Sequence, residues 1–159
     1  MSARPVVVLD MDETLLHTPD AELSKARLRS IPRPGLRKFM RAVSQIGEVH
    51  VLSAGSSDYI PLALDSVGLL SGVRSWHSSR RRNPMKQIIN GRRWVLVDDR
   101  GASSPLTIAK LRQCGGAGLR AANHLVVVQP FSGDRRDKVL HNLPGLIALA
   151  LEVQRGARS

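Results

Sequence analysis

Uninterrupted aliphatic runs alternate along this chain with segments whose apolar positions recur at helical spacing. The first run, residues 6–9 (VVVL), is β-branched and not interleaved with polar residues, the pattern of a central strand covered on both faces. It runs straight into DMDETLL, with three carboxylates at positions 10, 12 and 13. RPGLRKFMRAVSQIG predicts a helix that Pro34 opens, that carries Leu36, Phe39, Met40 and Val43 on one face, and that Gly47 stops. Residues 49–52 predict a strand ending at Ser53, and SAGSSDYIPLALDSVG a turn, a cap at Ser56 or Ser57 and a helix closing near Gly68. A short strand over 73–76 leads into an arginine-rich loop, and a strand over 94–97 runs into Asp98 and Asp99. A helix over about 104–112, a glycine-rich link at 115–118, a fifth strand in HLVVVQP and a closing helix over 137–154 complete the pattern. The closing helix is expected to bury Val139, Leu143, Leu146, Ile147 and Ala150.

Strands alternating with helices imply right-handed crossovers and a parallel sheet. The expected fold is therefore α/β, a Rossmann-like three-layer sandwich around a central, mostly parallel five-stranded sheet. At 159 residues the chain reads as one domain, residues 1–159, with a core over about 5–154 and a loose tail at 155–159. There is no internal repeat and no low-complexity segment. The single Cys114 cannot form an internal disulfide. No apolar stretch approaches the roughly 18 residues of a membrane span, and Asp10 cuts the first apolar run too early for a signal peptide. These features point to an intracellular protein, cytoplasmic or, in a eukaryote, nuclear, without contact to a membrane.

Charge changes this picture, because 24 Lys and Arg against 13 Asp and Glu leave a formal net charge of +11. An anionic partner is implied. The densest cationic run is Arg80, Arg81 and Arg82, followed by Lys86 and by Arg92 and Arg93. Aromatic residues make up only 3% of the chain, which leaves few platforms for stacking bases, so charge alone does not identify a nucleic-acid binder.

Ligands of open α/β sheets collect outside the carboxyl ends of the strands, which is where Asp10, Asp12, Ser53, Asp98 and Asp99 fall, with Lys86 between the second and third of these sites. Clustered carboxylates suit a hard divalent cation such as Mg2+. One carboxylate can attack phosphorus, and a second, held protonated by a neighbouring like charge, can donate to the leaving oxygen and later deprotonate water. A hydroxyl and an ammonium can take the phosphoryl oxygens. The competing structural readings are that Ser53 only caps a helix and that Lys86 is only a basic-loop residue. The chain contains no G-x-x-x-x-G-K-[ST] phosphate loop, which argues against a nucleotide-hydrolase reading of VVVLDMDE.

DMDETL resembles the Asp-x-Asp-x-Thr signature of the haloacid dehalogenase superfamily, and the order acid pair, strand-end Ser, Lys, second acid pair matches its four motifs. VVVLDMDETLLH, RPGLRKFM, VLSAGSSDYIPLALDSVG, WVLVDDRGAS and PFSGDRRDKVLHNLPGLIAL are similar to the branch of phosphatases that act on the RNA polymerase C-terminal domain, over most of residues 5–152. The resemblance implies a capless fold of that superfamily. Asp10 would be the nucleophile and Asp12 the general acid and base. Thr14, Ser53, Ala54 and Lys86 would hold the loop and the transferring phosphate. Mg2+ would be held by Asp10, the backbone carbonyl of Asp12 and Asp99, with Asp98 as a further or alternative ligand. The implied reaction is Mg2+-dependent phosphomonoester hydrolysis through an aspartyl-phosphate. Segments 13–33 and 54–85 are each too short for a cap domain, so the expected substrate is a macromolecule such as a phosphoserine or phosphothreonine segment, gripped by Arg80, Arg81 and Arg82. Alternatives are a polynucleotide 3′ or 5′ end, and a catalytically silent basic binding module. The segment before Arg33 is shorter than that branch's β-hairpin insert, and residues 105–118 are longer than its usual connection to the last strand.

Overall fold

In the computed structural model, residues 3–20, 28–115 and 123–157 are described. Strand β1 (Val6–Leu9) is the centre of a five-stranded sheet. It pairs in parallel with β4 (Glu48–Ser53) on one side and with β6 (Trp94–Asp98) on the other, so that Val8 lies between His50 and Leu96. Outside these lie β5 (Ser75–Ser78) and β7 (Leu125–Val127), giving the order β5-β4-β1-β6-β7 with every pair parallel. The expected five-stranded sheet is thus present, and its parallel character is complete.

The aliphatic runs have a simple physical reason. Side chains of a strand point alternately to its two faces, and here both faces are covered. Val7 and Leu9, with Val49, Val51, Val95 and Val97, pack beneath α1 (Leu36–Ile46), α2 (Tyr59–Ser66) and α5 (Val139–Gly156). Val6 and Val8, with Leu52, Trp94 and Leu96, pack beneath α3 (Met85–Ile89) and α4 (Pro105–Gly115), which supply Met85, Ile89, Leu111 and Cys114.

Three elements escape the hydrophobic pattern because they are too short to show a period. They are α3, with five residues, and the antiparallel ribbon of β2 (Leu16–His17) and β3 (Ile31–Pro32). Strand β5 begins two residues later than expected. In α5 the buried positions are Leu140, Leu143, Ile147, Leu151 and Gln154, whereas Leu146 is 51% exposed, so the expected face drifts off the true one at that residue. Helix α5 continues through Arg155 and Gly156, part of the expected loose tail. Most of the glycine-rich link at 115–118 lies outside the described residues.

One buried cation ties the loops at the carboxyl edge together. Arg33 is 1% exposed and makes a two-pronged ion pair with Asp137, Nε to Oδ1 and NH2 to Oδ2, both at 2.9 Å. The same guanidinium donates to the carbonyls of Thr14 (3.1 Å) and Gln129 (2.6 Å) and lies 5.5 Å from the centre of the Phe131 ring. It therefore joins the loop after β1 to the segment entering α5. Breaking a buried pair leaves an uncompensated charge. Arg33→Ala is expected to cost about 3–5 kcal/mol in urea unfolding. Arg33→Lys should recover only part of it, because an ammonium cannot reproduce the two-pronged geometry.

Candidate active site

Chain order places the site. From β1 the chain moves to β4 and β5 on one side, then crosses back to β6 and β7 on the other, so the loops after β1 and β6 leave the sheet in opposite directions. A crevice opens between such neighbours. Asp10 follows β1 and is anchored by its N–H to the Val97 carbonyl at 2.8 Å, while Asp98 ends β6 and Asp99 follows it. The crevice, of about 240 Å³, is lined by Asp10, Asp12, Glu13, Ser53, Ala54, Gly55, Arg80, Asp98, Asp99, Arg100, Leu106 and Lys110.

Asp10, Asp98 and Asp99 each offer an oxygen within 4.8 Å of the others. Between them stands a cation that the motif spacing did not identify. The Lys110 ammonium donates to Asp10 Oδ1 at 2.7 Å and to Asp98 Oδ2 at 2.8 Å, with all three side chains buried. Burial pushes the lysine down, but the two carboxylate charges outweigh it and hold its proton firmly. Burial likewise pushes the Asp10 carboxyl up, to about 6, with Lys110 and Thr14 drawing it back. Asp10 is therefore mostly ionised at neutral pH. Burial and the neighbouring Asp98 charge raise Asp99 as well, against the hydrogen bond it shares with Asp10.

Lys86 is an expected site residue that the structure does not bring to the crevice. It sits on the exposed side of α3 and does not line the crevice. The ammonium that lines the crevice comes from α4, within the segment for which the sequence offered no role. Thr107, Lys110, Leu111 and Cys114 are the buried residues of α4, at i, i+3, i+4 and i+7. A lysine within that otherwise uncharged stripe was the available signal, because Lys is almost never fully buried unless paired.

The other expected residues divide by geometry. Ser53 lines the crevice, and its Oγ accepts the Gly55 N–H at 3.0 Å instead of capping α2. Thr14 is fully buried and does not face the crevice; its hydroxyl donates to Asp10 Oδ2 at 2.8 Å. Thr14 thus holds the aspartate side chain. Arg80 reaches the crevice rim, whereas Arg81 and Arg82 are exposed and outside it; Arg100 occupies the rim beside Asp99.

The Asp12 carboxylate lies outside the three-carboxylate cluster and faces Tyr59, whose hydroxyl donates to Asp12 Oδ1 at 2.6 Å. Burial and the Asp10 charge raise the Asp12 pKa, while the Tyr59 hydrogen bond draws it down. The Tyr59 oxygen is also 2.8 Å from Thr18 Oγ1, which ties the β2–β3 ribbon to the same point. Gly55 makes room for this ring: a Cβ there would lie 2.8 Å from Tyr59 Cδ1. The residue after Asp12, Glu13, has φ 63°, a left-handed conformation held by the Phe131 N–H on its carbonyl at 2.7 Å.

Two buried carboxylates, a half-buried third and a lysine thus meet at the reversal point of a parallel sheet whose architecture is a known one. A haloacid dehalogenase-like family hydrolase from Xanthomonas campestris superposes on this fold with TM-score 0.62 at 13% identity, covering 99% of this chain and all of that one. Two structures of Fcp1, an RNA polymerase II CTD phosphatase, one from fission yeast and bound to beryllium fluoride, superpose with TM-scores 0.52 and 0.51 at 18% identity. They cover 98% of this chain, which spans about half of each. Among curated proteins no sequence matches significantly. The chain belongs to the NLI interacting factor-like phosphatase family, which matches residues 5–89, more than half of its length. It is a phosphatase.

Two substitutions separate the lysines. Lys110→Met is expected to lower kcat/KM by about 10²–10³, the usual worth of one oxyanion donor, and to move the acid limb of its pH profile upward, because Lys110 draws the Asp10 pKa down. Lys86→Met should leave turnover within about twofold, as an exposed side chain remote from the reacting groups. Tyr59→Phe should raise the Asp12 pKa and so carry its proton to higher pH, read as an upward shift of the alkaline limb of kcat/KM on an alkyl phosphate.

Proposed function

We propose that this phosphatase hydrolyses phosphomonoesters through an aspartyl-phosphate on Asp10, with Asp12 as acid and base and with Mg2+. The observation that carries the proposal is the convergence of Asp10, Asp98 and Asp99 with Lys110 in one crevice.

The donor set fits the metal. Three carboxylate oxygens within 4.8 Å, partly offset by one ammonium, form an oxygen-only, net negative site of the kind a hard cation takes. Asp10, Asp98 and Asp99 would hold it, and bound there it would supply the positive charge that lets an anionic phosphoryl group approach an anionic nucleophile. An Asp10 oxygen attacks phosphorus and the ester P–O bond breaks, with the Asp12 proton passing to the leaving oxygen. Asp12 then takes a proton from water as the water oxygen attacks phosphorus, which releases inorganic phosphate and restores Asp10. Tyr59 keeps the Asp12 carboxyl aimed, and Ser53 and Lys110 receive the phosphoryl oxygens.

The size of the crevice bears on the substrate. At about 240 Å³ it falls below the roughly 300–1,000 Å³ of small-molecule sites, so it takes little more than the phosphoryl group. The rest of the substrate lies outside, over Arg80, Arg100 and Leu106. A phosphorylated protein segment meets that geometry and agrees with the family and with the Fcp1 likeness. The net charge of +11 favours a polynucleotide end as the second reading. Turnover on phosphoserine peptides and on end-phosphorylated oligonucleotides, measured side by side, decides between them.

Asp10→Asn is expected to abolish turnover. Asp12→Asn should cost about 10²–10⁴ on a phosphoserine peptide and much less in the first step on p-nitrophenyl phosphate, whose leaving group departs without a proton. Burst kinetics on both substrates check this; equal losses in that step on both would contradict the role given to Asp12. Removal of divalent cations with a chelator should stop turnover, and Mg2+ should restore it.

A further inference from the structure

Away from the crevice, two hollows flank the first turn of α1. One, of about 690 Å³, is lined by Pro32, Leu36, Met40, Val67 and Leu69 among others, with Arg37, Lys38 and Arg41 on its rim. The other, of about 710 Å³, shares Pro34, Gly35 and Lys38 with the first and continues to Lys138, His141 and Pro144 at the start of α5. Neither shares a residue with the catalytic crevice.

The cations here work against the helix that carries them. Positive side chains are unfavourable at a helix N-terminus, and like charges four residues apart repel, as Arg37 and Arg41 do. The first turn of α1 contains no acid, and no side chain caps it at Gly35. Arg37, Lys38 and Arg41 are exposed, and among the described residues none is paired with a carboxylate. Within the described residues these cations have no acidic partner, and the chemistry proposed for Asp10 does not use them. A ligand that brings negative charge relieves the conflict.

The lining decides which anion. It is aliphatic and proline-rich; the Phe39 ring is buried at 2% exposure, and the other ring lining the hollows is the single imidazole of His141, so successive bases are offered no run of exposed stacking platforms. Apolar hollows rimmed by cations match an extended peptide that alternates carboxylates with apolar side chains. We propose that this groove docks an acidic linear peptide segment, its carboxylates on Arg37, Lys38 and Arg41 and its apolar side chains in the two hollows. The proposal stands independently of the reading of Asp10, because it concerns binding and not turnover.

The test uses the whole protein and fluorescence anisotropy with a fluorescein-labelled peptide of repeated Glu-Leu-Asp-Pro units. The triple variant Arg37→Ala, Lys38→Ala, Arg41→Ala should bind it at least about tenfold more weakly, keep its turnover of p-nitrophenyl phosphate, and melt at the same temperature as the parent or higher. A peptide of repeated Glu-Gly-Asp-Gly units, with the same charge and no apolar side chains, should bind the parent at least about tenfold more weakly as well. The proposal is overturned if the triple variant binds the first peptide as the parent does, or if both peptides bind alike. It also falls if a single-stranded oligonucleotide of matched charge binds more tightly than the peptide and loses that binding in the variant. A lowered melting temperature in the variant would show that the cations serve the fold and would equally overturn it.

Discussion

The Lys110 ammonium, held between Asp10 and Asp98, is the interaction on which the arrangement of the site depends. β1 and β6 are hydrogen-bonded neighbours, so carboxylates at their ends are forced close together, and both are buried. Two buried negative charges at that separation cannot both persist without a cation beside them. Lys110 supplies one from the opposite layer of the sandwich. It can do so because α4 packs its face of Thr107, Leu111 and Cys114 against the sheet, which aims the intervening lysine at the strand ends. The result is a preorganised anionic pocket with a fixed positive pole, which suits an attack by carboxylate on a phosphoryl group.

Around that pair, the loop after β1 is held from several directions. Thr14 fixes one oxygen of Asp10, Tyr59 fixes one of Asp12, and Arg33 grips the carbonyl of Thr14 from behind while pairing with Asp137. Beyond Thr14, which belongs to the loop itself, these contacts come from α2, the residue after β3 and the segment before α5, which are far apart in sequence. Together they allow Glu13 to sit at positive φ directly after Asp12, a conformation that costs energy and persists only where neighbours over-determine it. Among the described residues, no helix is long and apolar enough to cross a membrane.

Much of this was legible in the chain, for physical reasons that differ by element. The aliphatic runs at 6–9 and 94–97 announce strands buried on both faces, and an acid placed directly after such a run falls at the sheet's carboxyl edge. Asp10, Asp12, Asp98 and Asp99 could therefore be assembled from pattern alone, and the crevice brings them together. Lys110 could not be assembled that way. Its place depends on the register of α4 against β1 and β6, a tertiary relation, whereas Lys86 stands at the motif spacing and is turned to solvent. Tyr59 and Arg33 were hidden for the same reason, since their partners are 47 and 104 residues away. The ribbon and α3 escaped because two to five residues are too few to display a period.

The account rests on covalent chemistry at one atom set, and that can be read directly. Protein quenched with sodium borohydride during turnover of p-nitrophenyl phosphate converts an aspartyl-phosphate to homoserine, which peptide mass spectrometry locates. The account requires homoserine at position 10, absent without substrate and absent in Asp10→Asn. Turnover that proceeds with position 10 unmodified, or modification at position 12 in its place, would contradict it.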